Sequence, residues 1–302
     1  MKKIKLLLCL FMLTTLCGCS NSNKNASSKT LNAAMFWIST SLDPTNNYDG
    51  WVLSRIGVGE TLLKLNEKYE VEPCLAKSYE QIDDTTWKLT LKDSITFSNG
   101  KKVTGENVKA CLERAFEKNT RAIDYFDLNH VEAKGQDIYL YLNKSSGAIL
   151  NNLCEPLFTI YDASQSEEDI ANHPLCTGPF VVDDFVSEKT IDTSKNKKYY
   201  DGKAKLDHVH FSQVADSDAR VLALQSGEVD LANTIDYSSL KLFRNNKDYQ
   251  VLEVLGPRTN VIYMNNETTF LSDLTIRKAL SYSVNRKSIV KLIGGKEATG
   301  LY

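Results

Sequence analysis

The chain has 302 residues, 42% hydrophobic and 25% charged, with a net charge of −2. That length suggests two domains, and that balance suits a soluble globular protein with a sizeable core. A near-neutral chain without a basic stripe excludes nucleic acid as an expected partner.

The first residues read as a targeting segment. Lys2, Lys3 and Lys5 precede an apolar run from Leu6 to Leu16, too short for a bilayer-spanning helix, which needs about 20 residues. Leu16-Cys17-Gly18-Cys19 resembles the bacterial lipobox, in which small residues precede an acylated cysteine. The resemblance implies a signal peptide over residues 1–18, Cys19 as the lipid anchor, and a cell-membrane location facing the extracytoplasmic side. An ordinary secretory signal is the alternative. Two or three acyl chains would hold the protein far more firmly than one. Residues 19–30 form a polar, flexible tether, and removal of the three lysines takes the mature charge to −5. Beyond the anchor, Cys74, Cys111, Cys154 and Cys176 allow up to two disulfides in three pairings. Buried free thiols are the simpler reading, because Cys111 falls on an apolar helix face and Cys74 at a strand entry. No C-x-x-C pair supports a zinc or thioredoxin-type site.

The mature chain opens with a buried strand over Leu31–Ile38, broken at Leu42-Asp43-Pro44 because proline fixes φ and removes a donor. Asp43–Gly50 fails as a calcium loop. With Gly50 as the loop glycine, Ile56 stands where a bidentate glutamate is required. Trp87–Leu91 alternates apolar and polar as a half-buried strand does, and Ile95 and Phe97 repeat the pattern. Asn99-Gly100 is a turn dipeptide. Thr104 then caps a helix with Glu106 in its first turn and one apolar face of Val108, Cys111, Leu112 and Ala115. Downstream, Ile138–Leu142 is a strand, Ala148–Leu153 a short helical piece, and Ser164–Asn172 an acidic polar linker. Leu206–Phe211 is another strand, on which His208 and His210 share one exposed face without a third metal ligand. A helix over Ala219–Ser226 stops at Gly227, and Asp230 is expected to bond local backbone amides.

Several of these segments together resemble the peptide/nickel-type (family 5) extracytoplasmic solute-binding proteins of ABC importers. Pro73-Cys74-Leu75-Ala76-Lys77-Ser78 is similar to that family's strand entry, and Trp87–Leu91, Phe97, Asn99-Gly100 and the capped helix follow in the family's order. Leu42-Asp43-Pro44, Glu60-Thr61-Leu62, Cys176-Thr177-Gly178-Pro179-Phe180, Lys197–Lys203, Arg220–Asp230 and Ile276–Arg286 extend the likeness. It implies an α/β, periplasmic-binding-protein-like fold (type II, cluster C) of mixed sheets flanked by helices, with the second large lobe mostly missing. It further implies lobe I over 31–55 and 173–268, an extra lobe II over 56–172, and the start of a C-terminal lobe over 269–302. Residues 251–255 and 261–265 continue the pattern, with Asn265 at a strand end. Thr177, Gly178 and Pro179 resemble the family's hinge crossing. Tyr48, Trp51 and Arg55 fall where the family borders its ligand, and Arg121 and Tyr125 fall near a pocket arginine and tryptophan of nickel-type members. Each of these also reads as a packing or surface residue. No arginine stands near Phe158–Tyr161, where that branch carries another, so nickel chelates specifically are in question.

The reading that follows is a lipid-anchored receptor that captures an oligopeptide, metal chelate or related small solute for an ABC permease and ATPase. No cofactor and no catalysis are implied, for the chain holds no G-x-S-x-G, Walker or H-E-x-x-H motif. A peptide-sensing lipoprotein and a non-functional truncated remnant are the alternatives.

Overall fold

The computed structural model describes residues 28–254, 256 and 258–297; the signal segment, Cys19 and most of the tether lie outside the described residues. Strands of period two and helices of period 3.6 alternate along the chain. The strands are β1 (Thr30–Met35), β2 (Leu63–Leu65), β3 (Val71–Pro73), β4 (Ala76–Gln81), β5 (Thr86–Leu91), β6 (Leu128–Lys134), β7 (Asp137–Leu142), β8 (Phe180–Val186), β9 (Thr190–Lys195), β10 (His208–Gln213) and β11 (Leu231–Ala232). The helices are α1 (Gly50–Arg55), α2 (Gly105–Lys118), α3 (Ala122–Tyr125), α4 (Ile149–Asn152), α5 (Glu167–Asn172), α6 (Ser217–Ser226), α7 (Leu274–Ser283) and α8 (Arg286–Ile293).

A mixed sheet runs in the order β11-β1-β10-β9-β8. Strand β1 lies between β11 and β10, parallel to both, and its last three residues, Ala33, Ala34 and Met35, are buried. An antiparallel sheet follows the order β4-β5-β7-β6, and β2 pairs with β3. The amphipathic face of α2 lies on the second sheet through β6 and β7, burying Val108, Cys111, Leu112 and Ala115. At the start of α2 the Asn107 side-chain oxygen accepts from the Thr104 backbone N–H (3.0 Å) and hydroxyl (2.9 Å). That cap serves the N-terminus where backbone donors lack partners. Asn99-Gly100 makes the expected turn, but Ile95 and Phe97 are not in a full strand. One bridge joins Thr96 to Lys102, because the turn closes after a single pair.

Three further segments differ from the sequence reading. Ser164–Asn172 contains α5, started by the Ser166 hydroxyl accepting from the Asp169 N–H at 3.1 Å, so the polar composition reflects a cap and a solvated face. Asp230 reaches across the sheet to the Asn32 N–H at 2.8 Å, tying β1 to the end of α6. Residues 251–254 and 261–265 form no strand. Several of their apolar side chains stand in solvent, Val254 82% and Ile262 72% exposed, and among the described residues no strand pairs with them.

A buried ion pair fastens the loop after β1 to α2. Arg114 donates to both oxygens of Asp43 (2.8 and 2.6 Å), to the Thr45 hydroxyl, to the Tyr161 hydroxyl and to Glu167. Burial alone would raise the Asp43 pKa, but hydrogen bonds from Arg114 and Thr45 outweigh it and hold the carboxyl below its ordinary value. The bidentate fork is a geometry lysine could not supply.

Candidate functional site

The loop from Thr45 to Tyr48 is set by α2 and the turn that follows it. The Asn119 side chain donates to the Thr45 and Asn47 carbonyls (3.0 and 3.2 Å), and Arg121 donates to the Asn47 carbonyl at 2.9 Å. Arg121 also lies over the Tyr48 ring, 3.8 Å from its centroid, and donates to the Tyr125 hydroxyl at 2.7 Å. Tyr48, Arg121 and Tyr125, three residues singled out in the sequence, therefore form one cluster. Burial, then the Glu155 carboxylate, push the Tyr125 phenol up to about 12.

Trp51 and Arg55 extend this cluster along α1. That helix rests on the turn Pro156–Phe158 so closely that a Cβ on Gly50 would stand 2.3 Å from the Pro156 carbonyl oxygen. Only glycine permits that approach. The same contact brings Glu155 beside α1, where the Trp51 indole N–H donates to its carboxylate at 2.8 Å. The Arg55 guanidinium sits 5.6 Å from the centroid of the Trp51 ring and 5.4 Å from that of the Phe36 ring. Burial, and then the positive charge of Arg258, depress the Arg55 pKa. Among the described residues no carboxylate pairs with Arg55. Tyr48 and Trp51 remain 54% and 38% exposed, so neither is spent on packing α1 to its sheet.

All five sequence-selected residues thus lie on one partly open face. Glu155, Phe36 and Arg258 join them and were not selected. Glu155 carries a weak signal, an acid just before a proline that begins a buried aromatic turn; Phe36 and Arg258 carry none.

Thr177, Gly178 and Pro179 lie where two chain segments run side by side, just past the end of α1. Gly178 donates to the Val58 carbonyl and Phe180 to the Gly57 carbonyl (3.0 and 3.1 Å). A Cβ on Gly178 would stand 2.5 Å from the Gly57 carbonyl oxygen. Glu60 clamps the crossing by accepting from Thr177 (2.8 Å), Tyr199 (3.0 Å) and Tyr200 (3.2 Å). A cavity of about 180 Å³ adjoins Glu60 and is lined by Ser54, Thr61, Lys64, Cys74, Cys154 and Thr159, among others. Burial pushes the Cys74 and Cys154 thiols up to about 11, which leaves them protonated and poor nucleophiles near neutral pH. All four cysteines from Cys74 onward are free. His210 faces Asp192 at 2.6 Å, and among the described residues no group of three or more His, Cys, Asp or Glu could hold a metal ion. None of the described helices is long and apolar enough to cross a membrane.

Mixed and antiparallel sheets flanked by helices, with a paired crossing beside them, define a periplasmic-binding-protein-like α/β fold. The chain belongs to the bacterial extracellular solute-binding proteins, family 5, whose profile ("family 5 Middle") matches residues 70–302. It is 32% identical to the nickel-binding protein NikA of Staphylococcus aureus over 274 residues, 91% of this chain and 54% of that protein. It is 28% identical to the glutathione-binding protein GsiB of Escherichia coli, over 79% of this chain and 48% of that one. The crystal structure of Staphylococcus aureus NikA in complex with Ni(L-His)2 superposes with a TM-score of 0.79 at 31% identity, covering 88% of this chain and 56% of that one. A nickel ABC transporter structure from Bacillus halodurans gives 0.75 at 30% identity, covering 87% and 55%. The chain spans about half the length of the curated relatives it matches.

Proposed function

We propose that this protein is the solute receptor of an ABC importer, moored to the membrane through acylated Cys19, and that it binds its solute without turnover. The carrying observation is the open face where Tyr48, Trp51, Arg55, Arg121 and Tyr125 converge, with Arg55 lacking a carboxylate partner. Aromatic faces and an exposed guanidinium suit a small solute with a planar or apolar part and an anionic group. The Ni(L-His)2 bound in the NikA structure carries carboxylates and planar imidazoles, glutathione, which GsiB is named for, carries carboxylates, and an amino-acid metal chelate or a short peptide is the solute proposed here.

In this proposal residues 31–55 with 173–268 form one lobe and 56–172 another, and Thr177-Gly178-Pro179 is the hinge between them. The backbone bonds from Gly178 and Phe180 to the 57–58 segment support that role, since they bind the two crossings into one strap. Closure about it would present loaded and empty receptor to the permease as different shapes.

Titration of the protein with Ni(II)–bis(L-histidine) and with glutathione, read by tryptophan fluorescence and calorimetry, tests the reading. Arg55→Ala and Trp51→Ala are each expected to weaken binding about tenfold or more, as loss of a charged or aromatic anchor does, with unchanged melting. Unaltered affinity in both variants would remove this face from the site.

A further inference from the structure

We infer that Glu155 sets the charge of the solute: it accepts from a protonated or N–H-bearing group on the ligand and excludes polyanions. This inference rests on the binding face just described. Two opposite charges meet one indole, one at its ring and one at its N–H. Arg55 lies over the Trp51 ring, and Glu155 accepts from the Trp51 N–H at 2.8 Å. Neither is neutralised by an ion pair among the described residues. Arg121 holds the Asn47 carbonyl, the Tyr125 hydroxyl and the Tyr48 ring and, among the described residues, makes no ion pair with Glu155. The partners Glu155 does have, the Trp51 indole and the Tyr125 phenol, are neutral.

Neutral donors orient a carboxylate without discharging it. A carboxylate offers about four lone-pair positions, so two such donors leave both acceptor capacity and the whole negative charge. Glu155 is half-buried, where a charge acts over several ångströms with less screening than in bulk water. A solute that brings one anionic group to Arg55 and a donor to Glu155 satisfies both. A neutral bis(amino-acid) chelate or a zwitterionic peptide has that pattern. A chelate carrying carboxylates on every side places one of them against Glu155.

The test compares two probes of the same metal, neutral Ni(II)–bis(L-histidine) and dianionic Ni(II)–EDTA, on the wild-type chain, Glu155→Gln and Glu155→Asp. Glu155→Gln keeps an acceptor for Trp51 and removes only the charge. Wild type is expected to favour the neutral chelate by about tenfold or more, the effect of one charge repulsion at this range. Glu155→Gln should shrink that preference at least about tenfold and Glu155→Asp should retain most of it. Raising the salt from 0.05 to about 0.5 M should narrow the wild-type preference without any substitution. A preference unchanged by Glu155→Gln and by salt, while both probes still bind, overturns the inference alone. Failure of wild type to bind either nickel probe or glutathione overturns the binding face, and this inference with it.

Discussion

Two amphipathic helices of this chain, α2 and α7, carry the same kind of sequence and meet different fates. On α2 the apolar face is sealed, with Val108, Leu112 and Ala115 fully buried and Cys111 2% exposed. On α7 no residue is buried, and Ile276 and Leu280 are 36% and 44% exposed. Each helix has an arginine near its apolar stripe. Arg114 of α2 is locked to Asp43 in the interior, whereas Arg277 of α7 donates to the Leu271 and Ser272 carbonyls of its own approach turn. Spacing and caps therefore make a helix, but only a sheet beneath it turns an apolar face into stability.

The comparison breaks most sharply at Arg114. Arg114→Leu leaves Asp43 buried without its counter-charge, and a loss of about 3–5 kcal/mol is expected from urea unfolding. Leu112→Ala, which opens a cavity between α2 and the sheet, should cost about 2–5 kcal/mol. Losses under about 1 kcal/mol at both sites would mean that α2 is not the element fastening the loop after β1.

Much of this was legible in the sequence because it is local. The strand Trp87–Leu91, the Asn99-Gly100 turn, the Thr104 cap and the face of α2 all follow from spacing and from side chains that bond nearby backbone. The candidate face was legible only through the family resemblance, which brought Tyr48, Trp51, Arg55, Arg121 and Tyr125 forward without saying that they touch. Glu155 stayed hidden because its meaning depends on Gly50 letting α1 settle onto the Pro156 turn, a contact between residues over a hundred positions apart. Asp230 was misjudged for the same reason, since its partner Asn32 lies 198 residues away. The expected order at 251–255 and 261–265 failed in the described residues because a strand needs a neighbour, and composition does not supply one.

A smaller effect sharpens the comparison at two helix N-termini. Asp49 precedes α1 and is buried, and burial raises its pKa to about 6 despite the hydrogen bond from Asn46. Asp273 precedes α7 in solvent, and the Thr275 N–H lowers its pKa. The folded state therefore holds a proton on Asp49 more tightly than the unfolded chain does, so this group disfavours folding above about pH 6, and that penalty fades as pH falls toward the unfolded value near 4. Asp49→Asn is expected to stabilise the protein by about 2 kcal/mol at pH 7 and by almost nothing below about pH 4. For Asp273 the sign reverses, because its lowered pKa makes any contribution one that is present above the unfolded value and lost on acidification. A pH series of melting curves on Asp49→Asn and Asp273→Asn separates the two, and parallel shifts would refute the burial argument.

The smallest effect belongs to α7 itself. Leu280→Ala removes a side chain that is 44% exposed, and a change within about 0.5 kcal/mol is expected. Nearly neutral mutation and weak protection should go together, since a helix with no buried residue opens without disturbing the core. Amide exchange in α7 and α8 should accordingly run far faster than in α2, whose amides are released only when the sealed face separates from β6 and β7. Leu292, 72% exposed on α8, offers an independent second site. If Leu280→Ala or Leu292→Ala instead destabilised the chain as much as Leu112→Ala, and α7 exchanged as slowly as α2, the exposed stripe would have to be covered in solution. Concentration dependence of that protection would then show whether a second copy of the chain provides the cover.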